Sequence, residues 1–63
     1  MIEARNELPR LNHTVLVIHR GDVFVGKLEQ HIDGEMLWRI ILPHNEYMIT
    51  TTDAQATKWN PIP

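Results

Sequence analysis

The chain has 63 residues, enough for one domain that spans residues 1–63. It contains no cysteine and no serine, which excludes disulfides, thiolate zinc sites and serine or cysteine nucleophiles. Six lysines and arginines stand against eight aspartates and glutamates, and this net charge of −2, scattered without runs, argues against DNA or RNA as a partner without excluding either.

The first half of the chain predicts a β-hairpin. Residues 14–20 are expected to form the first strand, because positions 15–18 are all aliphatic and mostly β-branched. Gly21-Asp22 predicts a type II′ turn, since that turn takes glycine at its first central position. Residues 23–30 then return as the second strand.

The second predicted strand alternates between two apolar faces. Val23 and Val25 fall on one face, and Phe24 and Leu28 fall on the other. Gly26 lies inside this strand and predicts either a bulge or the close approach of another backbone.

The second half predicts further short strands. The predicted strands span residues 37–42, 47–51 and 57–59. A loop over 31–36, centred on Asp33-Gly34, precedes the first of them, and a turn over 43–46 separates the first from the second. A single helical turn over 53–56, capped by Thr52 or Asp53, precedes the last. The fold class is therefore all-β. We expect an antiparallel meander of four to five strands, curled into an SH3-like barrel or a sandwich.

The first and third predicted strands carry apolar residues on both faces. A single curled sheet has only one interior, so the termini, a second copy of the chain or a partner must cover the other face. So short a chain also buries a small share of its surface and has a thin margin of stability. Both arguments favour a homo-oligomer.

Residues 1–9 and 56–63 carry a family resemblance. The first segment leads to Leu8-Pro9, and the second is Ala-Thr-Lys-Trp-Asn-Pro-Ile-Pro. They are similar to the Trp-Ile…Leu-Pro opening and the Val-Thr-His-Trp-Met-Pro-Leu-Pro closing of a phage and prophage family, domain of unknown function 551. Met1, Lys58 and Asn60 replace the family's tryptophan, histidine and methionine. The resemblance implies a phage or prophage origin and no particular activity.

Two of the motif residues have a structural interpretation. Proline disfavours a helix before it, so Leu8 is expected to pack at the edge of the core in an extended segment. Trp59 is expected to cover one end of the fold while Pro61 and Pro63 stiffen the chain beyond it. The alternative is a proline-rich tail that a partner's groove would bind.

No enzyme, metal site or cofactor is predicted. The four histidines, at positions 13, 19, 31 and 44, show no i, i+3 or i, i+4 pairing, so we expect solvated side chains rather than a metal site. The carboxylates nearest to predicted turns are explained by turn chemistry. With no apolar run longer than four residues and no signal pattern at the start, the expected location is the host cytoplasm, without membrane insertion.

The leading hypothesis is a phage or prophage accessory protein that acts by protein–protein interaction and inhibits a host enzyme or defence complex. Its contact would be an exposed apolar and aromatic sheet face, because aromatic residues and methionine anchor many interfaces. The candidate protein-interface residues are Met36, Trp38, Tyr47 and Met48.

Two alternatives remain open. The first is a small β-barrel that binds nucleotides or single-stranded nucleic acid through Arg20, Lys27 and Arg39, expected on neighbouring strands near aromatic side chains. The simpler interpretation of these cations is a solvated sheet face neutralised by Glu29 and Glu46. The second alternative is a structural phage component.

Overall fold

The computed structural model describes residues 1–63, and every regular element in it is a β-strand. The strands are β1 (Ile2–Glu3), β2 (Thr14–His19), β3 (Asp22–Ile32), β4 (Glu35–Ile41), β5 (Glu46–Thr52) and β6 (Thr57–Pro61). They form one antiparallel sheet in the order β1-β6-β2-β3-β4-β5. The all-β prediction is confirmed, with six strands instead of four to five. No helical segment long and apolar enough to cross a lipid bilayer is present.

The sheet is open, because its outer strands β1 and β5 do not pair with each other. The chain runs as a meander from β2 to β5, and β6 then returns to lie beside β2. This return brings residue Trp59 opposite Val17. The N-terminal β1 adds a short pair on the outside of β6.

The β2–β3 turn differs from the predicted one. His19 pairs with Asp22, so the two loop residues are Arg20 and Gly21 rather than Gly21 and Asp22. Both have positive φ, 52° for Arg20 and 83° for Gly21, which is the signature of a type I′ turn. The predicted type II′ turn is therefore wrong. A type I′ turn matches the right-handed twist of the strands, and this requirement outweighs the cost of αL backbone at an arginine.

The β3–β4 turn confirms Asp33-Gly34 as its centre. These residues have φ values of 53° and 78°, again a type I′ turn. The predicted loop over 31–36 is wrong in its length, because Ile32 pairs directly with Glu35 and the strands continue to the turn.

Gly26 marks a close approach of two backbones, which is one of the two roles predicted for it; the other was a bulge. A Cβ placed on Gly26 would lie 2.6 Å from the carbonyl oxygen of Arg39 and 3.1 Å from Cδ1 of Ile40. The ladder between β3 and β4 is irregular instead between Leu28 and Gln30. The bulge therefore falls three positions further along the strand, at Glu29.

The predicted helical turn over 53–56 is wrong. The Gln55 amide donates to the Thr52 carbonyl at 3.0 Å, and the Thr52 amide donates to Oε1 of Gln55 at 2.9 Å. These reciprocal bonds close a turn between β5 and β6 without a helix. Strand β6 extends past the predicted end, and Pro61 lies opposite Val15.

The core lies on one face of the sheet. Its buried hydrophobic residues are Ala4, Val15, Val17, Leu28, Met36, Trp38, Ile40 and Trp59. Leu8 packs against them, as predicted. Trp59 is only 8% exposed, and its indole Nε1 donates a 2.8 Å hydrogen bond to the carbonyl of Glu7. Trp59 is therefore a core residue that ties the N-terminal segment to β6.

Candidate protein-binding surface

The four predicted interface residues are divided between the interior and the surface. Met36 and Trp38 are fully buried, and Tyr47 and Met48 are each 38% exposed. Placing Met36 and Trp38 on an exposed face is therefore wrong. Arg39 lies between Trp38 and Ile40 on β4, and its charged side chain favours the solvent-facing side of the sheet. Because successive side chains of a strand alternate between faces, the even-numbered positions of β4 then face the core.

Tyr47 and Met48 are neighbours on β5 and project to opposite faces of the sheet. The Tyr47 ring contacts Phe24 edge to face, with ring centroids 6.1 Å apart. Met48 lies opposite Arg39 on the outer face. The two residues share a strand rather than a binding face.

A different set of apolar side chains occupies the outer face, opposite the core. We call it the outer patch; its members are Leu16, Ile18, Val23, Val25 and Ile41. Ile18 lies opposite Val23, Leu16 opposite Val25, and Val25 opposite Ile41, so the patch is continuous across three strands. Val23 is 61% exposed, Val25 40% and Ile41 37%.

The outer patch could be predicted in part. Apolar residues on both faces of the first strand indicate a second apolar surface, and the second predicted strand has Val23 and Val25 on one face and Phe24 and Leu28 on the other, without showing which face is the core. Its members were missed as candidates because aromatic residues and methionine were favoured over valine and isoleucine. Lys27, two positions after Val25, is the sequence signal that marks the outward face of β3.

Two lysines border the outer patch. Lys58 on β6 lies opposite Ile18, and Lys27 follows Val25 on the same face of β3. Neither lysine takes part in an ion pair. The patch is therefore an apolar surface bordered by two lysines that make no ion pair, and Glu3 of β1 lies opposite Lys58.

The three cations proposed for a nucleic-acid face do not form one surface. Lys27 and Arg39 lie opposite each other on β3 and β4. Arg20 lies in the β2–β3 turn, while the β2 partner of Lys27 is Thr14, six positions earlier. At a rise of roughly 3.3 Å per residue, about 20 Å of strand separates Arg20 from the other two.

Arg39 is also neutralised by two carboxylates. Its Nε lies 2.6 Å from Oε1 of Glu29, and its Nη1 lies 3.7 Å from Oε1 of Glu46. The hydrogen bond that Arg39 donates to Glu29 is the main cause that raises the pKa of Arg39 above its ordinary value. A cation held in this way has little remaining attraction for phosphate.

The histidines lie apart from one another. Nδ1 of His19 lies 3.0 Å from the hydroxyl of Thr57, and Nε2 of His31 lies 3.3 Å from Oδ1 of Asp53. Burial, and then the charge of Arg20, lower the pKa of His19. No three histidine, cysteine, aspartate or glutamate residues come together as a metal site would require.

A shallow groove of about 350 Å³ lies on the β3–β4 hairpin. Its lining residues are Gln30, Ile32, Asp33, Glu35 and Leu37. Its two carboxylates, Asp33 and Glu35, are exposed.

The structure defines a class of protein: a small all-β domain with an open antiparallel sheet, a core on one face and an apolar patch on the other. Compared with known proteins, the chain matches no protein-family model, no curated protein and no solved structure.

Proposed function

We propose that this domain acts by protein–protein contact and docks through the outer patch. The observation that carries the proposal is the continuous row of aliphatic side chains across β2, β3 and β4, in which Val23, Val25 and Ile41 are exposed. Single exposed aliphatic residues are ordinary on protein surfaces, but contiguous patches with a polar border characterise interaction sites.

The border of the patch indicates the chemistry of the partner. Lys58 and Lys27 are free of ion pairs, so acidic groups on a partner would meet unpaired positive charge at two sides of the contact. The proposed partner surface is therefore apolar at its centre and acidic at its edge. Such charges raise the rate of association more than they raise the affinity.

The biological setting is a proposal that rests on the family resemblance. The motifs that resemble the phage and prophage family contain Leu8, which packs against the core, and Trp59, which is part of it. Leu8 and Trp59 therefore stabilise the fold, and neither residue belongs to the outer patch that we propose as the binding surface. We propose an accessory protein that works in the host cytoplasm and inhibits a host enzyme or defence complex by contact.

The finer description of the fold is also a proposal. A single sheet whose last long strand returns beside its first long strand, with a core on one face, favours a partly open, SH3-like barrel over a sandwich, which consists of two packed sheets. The returning strand β6 supports this description.

The experiment is a comparative affinity capture from bacterial lysate. Wild type, Val23→Glu and Ile32→Glu are immobilised, and bound proteins are identified by mass spectrometry with and without nuclease. Val23 and Ile32 are each 61% exposed, and each lies within two residues of a two-residue turn, but only Val23 belongs to the outer patch. The Ile32 variant is therefore a matched control.

We expect a protein that wild type and Ile32→Glu capture and that Val23→Glu loses. Its retention should depend weakly on salt, because apolar burial dominates the contact, whereas phosphate contacts weaken steeply as salt rises. Capture that survives Val23→Glu, or that disappears with nuclease, would contradict the proposal.

A further inference from the structure

The two edges of the sheet are built differently. One edge is formed by β1, which has two residues, and the other by β5, which has seven. Natural proteins block exposed edges with short strands, proline, lysine or bulges. Strand β5 has none of these, and Glu46 is its only charged residue.

The hydrogen-bond pattern shows which amides of β5 point away from the sheet. The Leu42 amide donates to the Asn45 carbonyl at 2.8 Å, and the Asp53 amide donates to the Gly34 carbonyl at 2.9 Å. Both bonds belong to the β4–β5 register, and antiparallel pairs alternate between bonded and unbonded positions. Counting from either end, the odd-numbered residues of β5 form backbone hydrogen bonds with β4. The even-numbered residues direct their backbone N–H and C=O groups away from β4, toward the free edge of the sheet.

Side chains already satisfy the outward amides at both ends of β5. The Glu46 amide donates to Oδ1 of Asn45 at 2.8 Å, and the Thr52 amide donates to Oε1 of Gln55 at 2.9 Å. Between them lie the outward backbone groups of Met48 and Thr50, which no side chain or loop engages. The edge therefore presents a short, open stretch of backbone between two closed ends.

We propose that a second copy of this chain pairs with this edge, strand β5 against strand β5, antiparallel about a two-fold axis at Ile49. Met48 of one copy then lies opposite Thr50 of the other. Each of these pairs exchanges both of its N–H···O bonds, because both residues present outward backbone groups. The two open sheets become one continuous sheet with an isologous contact.

Charge and side-chain shape favour a second copy in this register. The two-fold axis places Glu46 opposite Thr52, so the only charge of the strand does not face its own image. On the inner face Ile49 meets Ile49 of the second copy, and Tyr47 meets Thr51. β-Branched and aromatic cross-strand pairs of this kind stabilise sheets. A parallel arrangement in register would oppose the two Glu46 carboxylates.

This contact is separate from the outer patch, because it uses the backbone edge of β5 rather than the outer face of β2 to β4. The two proposals can therefore fail independently. The edge contact also gives a role to the two predicted interface residues that remain exposed, Tyr47 and Met48.

The test begins with the molar mass of wild type by sedimentation equilibrium over a wide concentration range, where we expect a monomer–dimer equilibrium. Thr50→Pro removes an outward N–H, and proline is tolerated where an edge-strand amide faces solvent. We expect a folded protein whose dimer dissociation constant rises by at least about tenfold. Thr50→Lys keeps the amide but adds a charge at the edge, and we expect the same direction of change. Thr50→Val is the matched control and keeps the dimer.

Amide hydrogen exchange supplies a second measurement that does not depend on any variant. Protection of the Met48 and Thr50 amides should rise with protein concentration, whereas Tyr47 and Ile49 should be protected at every concentration. A single-chain mass at all concentrations would overturn the inference. So would a dimer that persists in folded Thr50→Pro, or one that Val23→Glu abolishes while the Met48 and Thr50 amides stay unprotected.

Discussion

The indole Nε1 of Trp38 donates a 3.1 Å hydrogen bond to the hydroxyl of Thr51 on the neighbouring strand, and both side chains lie within the core. Trp38 is fully buried, and Thr51 is 1% exposed. The largest core side chain thus has its polar atom satisfied by a threonine of the edge strand β5. Because both side chains are buried, the bond makes the position of Trp38 depend on β5.

Thr51→Val keeps the shape of the side chain and removes the acceptor. The buried indole N–H then has no partner, and we expect the free energy of unfolding to fall by about 1–3 kcal/mol. Thr51→Ser keeps the hydroxyl and loses a methyl group, so it should cost less, about 1 kcal/mol. Urea denaturation at equilibrium measures both. A Thr51→Val variant as stable as wild type would show that the bond contributes nothing net.

Gly26 provides the second prediction. In Gly26→Ala the new methyl group would lie 2.6 Å from the Arg39 carbonyl oxygen, a backbone atom that cannot rotate away. We expect overpacking to lower the stability by about 1–3 kcal/mol. Gly21→Asn is the control, because it has space around Cβ and asparagine tolerates the positive φ of 83°. Equal effects of the two variants in urea denaturation would contradict this explanation.

Several parts of the fold could be predicted from the sequence. The run at positions 15–18, the centre of the Asp33-Gly34 turn and the packing of Leu8 all follow from local residue preferences. The type I′ turn at Arg20-Gly21 could not be predicted in this way, because arginine seldom adopts positive φ. Strand pairing sets that backbone conformation.

The candidate surface was harder to predict because it depends on which face of each strand points inward. Positions 35–42 are apolar except at Glu35 and Arg39, so alternation gives a weak signal there. Trp38 and Met36 were favoured for the surface on residue type alone, whereas their alternation with Arg39 places them in the core. The free edge at β5 depends on strand order, and no local pattern reports strand order.

His19 provides a pH-dependent prediction. Burial and the nearby charge of Arg20 hold the pKa of His19 below its ordinary value of 6.5. Between these two pKa values the unfolded chain binds more protons than the folded protein, so the free energy of unfolding rises with pH. The stability that neutral His19 contributes is therefore present above pH 6.5 and is lost as the pH falls through the folded-state pKa.

Urea denaturation at a series of pH values measures this effect. His19→Gln cannot titrate and still offers a polar group to Thr57, so we expect it to flatten the dependence of stability on pH below 6.5. His13→Gln at an exposed loop position is a matched control for the exchange of histidine for glutamine. An unchanged dependence in His19→Gln would assign the effect to other groups.

The two type I′ turns lead to the last prediction. Asp33-Gly34 uses a residue pair that this turn favours, whereas Arg20 occupies the αL region at φ 52° with no help from its side chain. Arg20→Asn places the favoured Asn-Gly pair in the β2–β3 turn, and we expect a gain of roughly 0.5–1 kcal/mol in the free energy of unfolding. Asp33→Asn is the control, since it exchanges one favoured residue for another, and it should change stability little. The same Arg20→Asn variant removes a positive charge near His19 and should move its pKa toward the ordinary value, which NMR titration of the imidazole can measure. A loss of stability in Arg20→Asn would mean that the arginine makes a contact that outweighs the backbone strain.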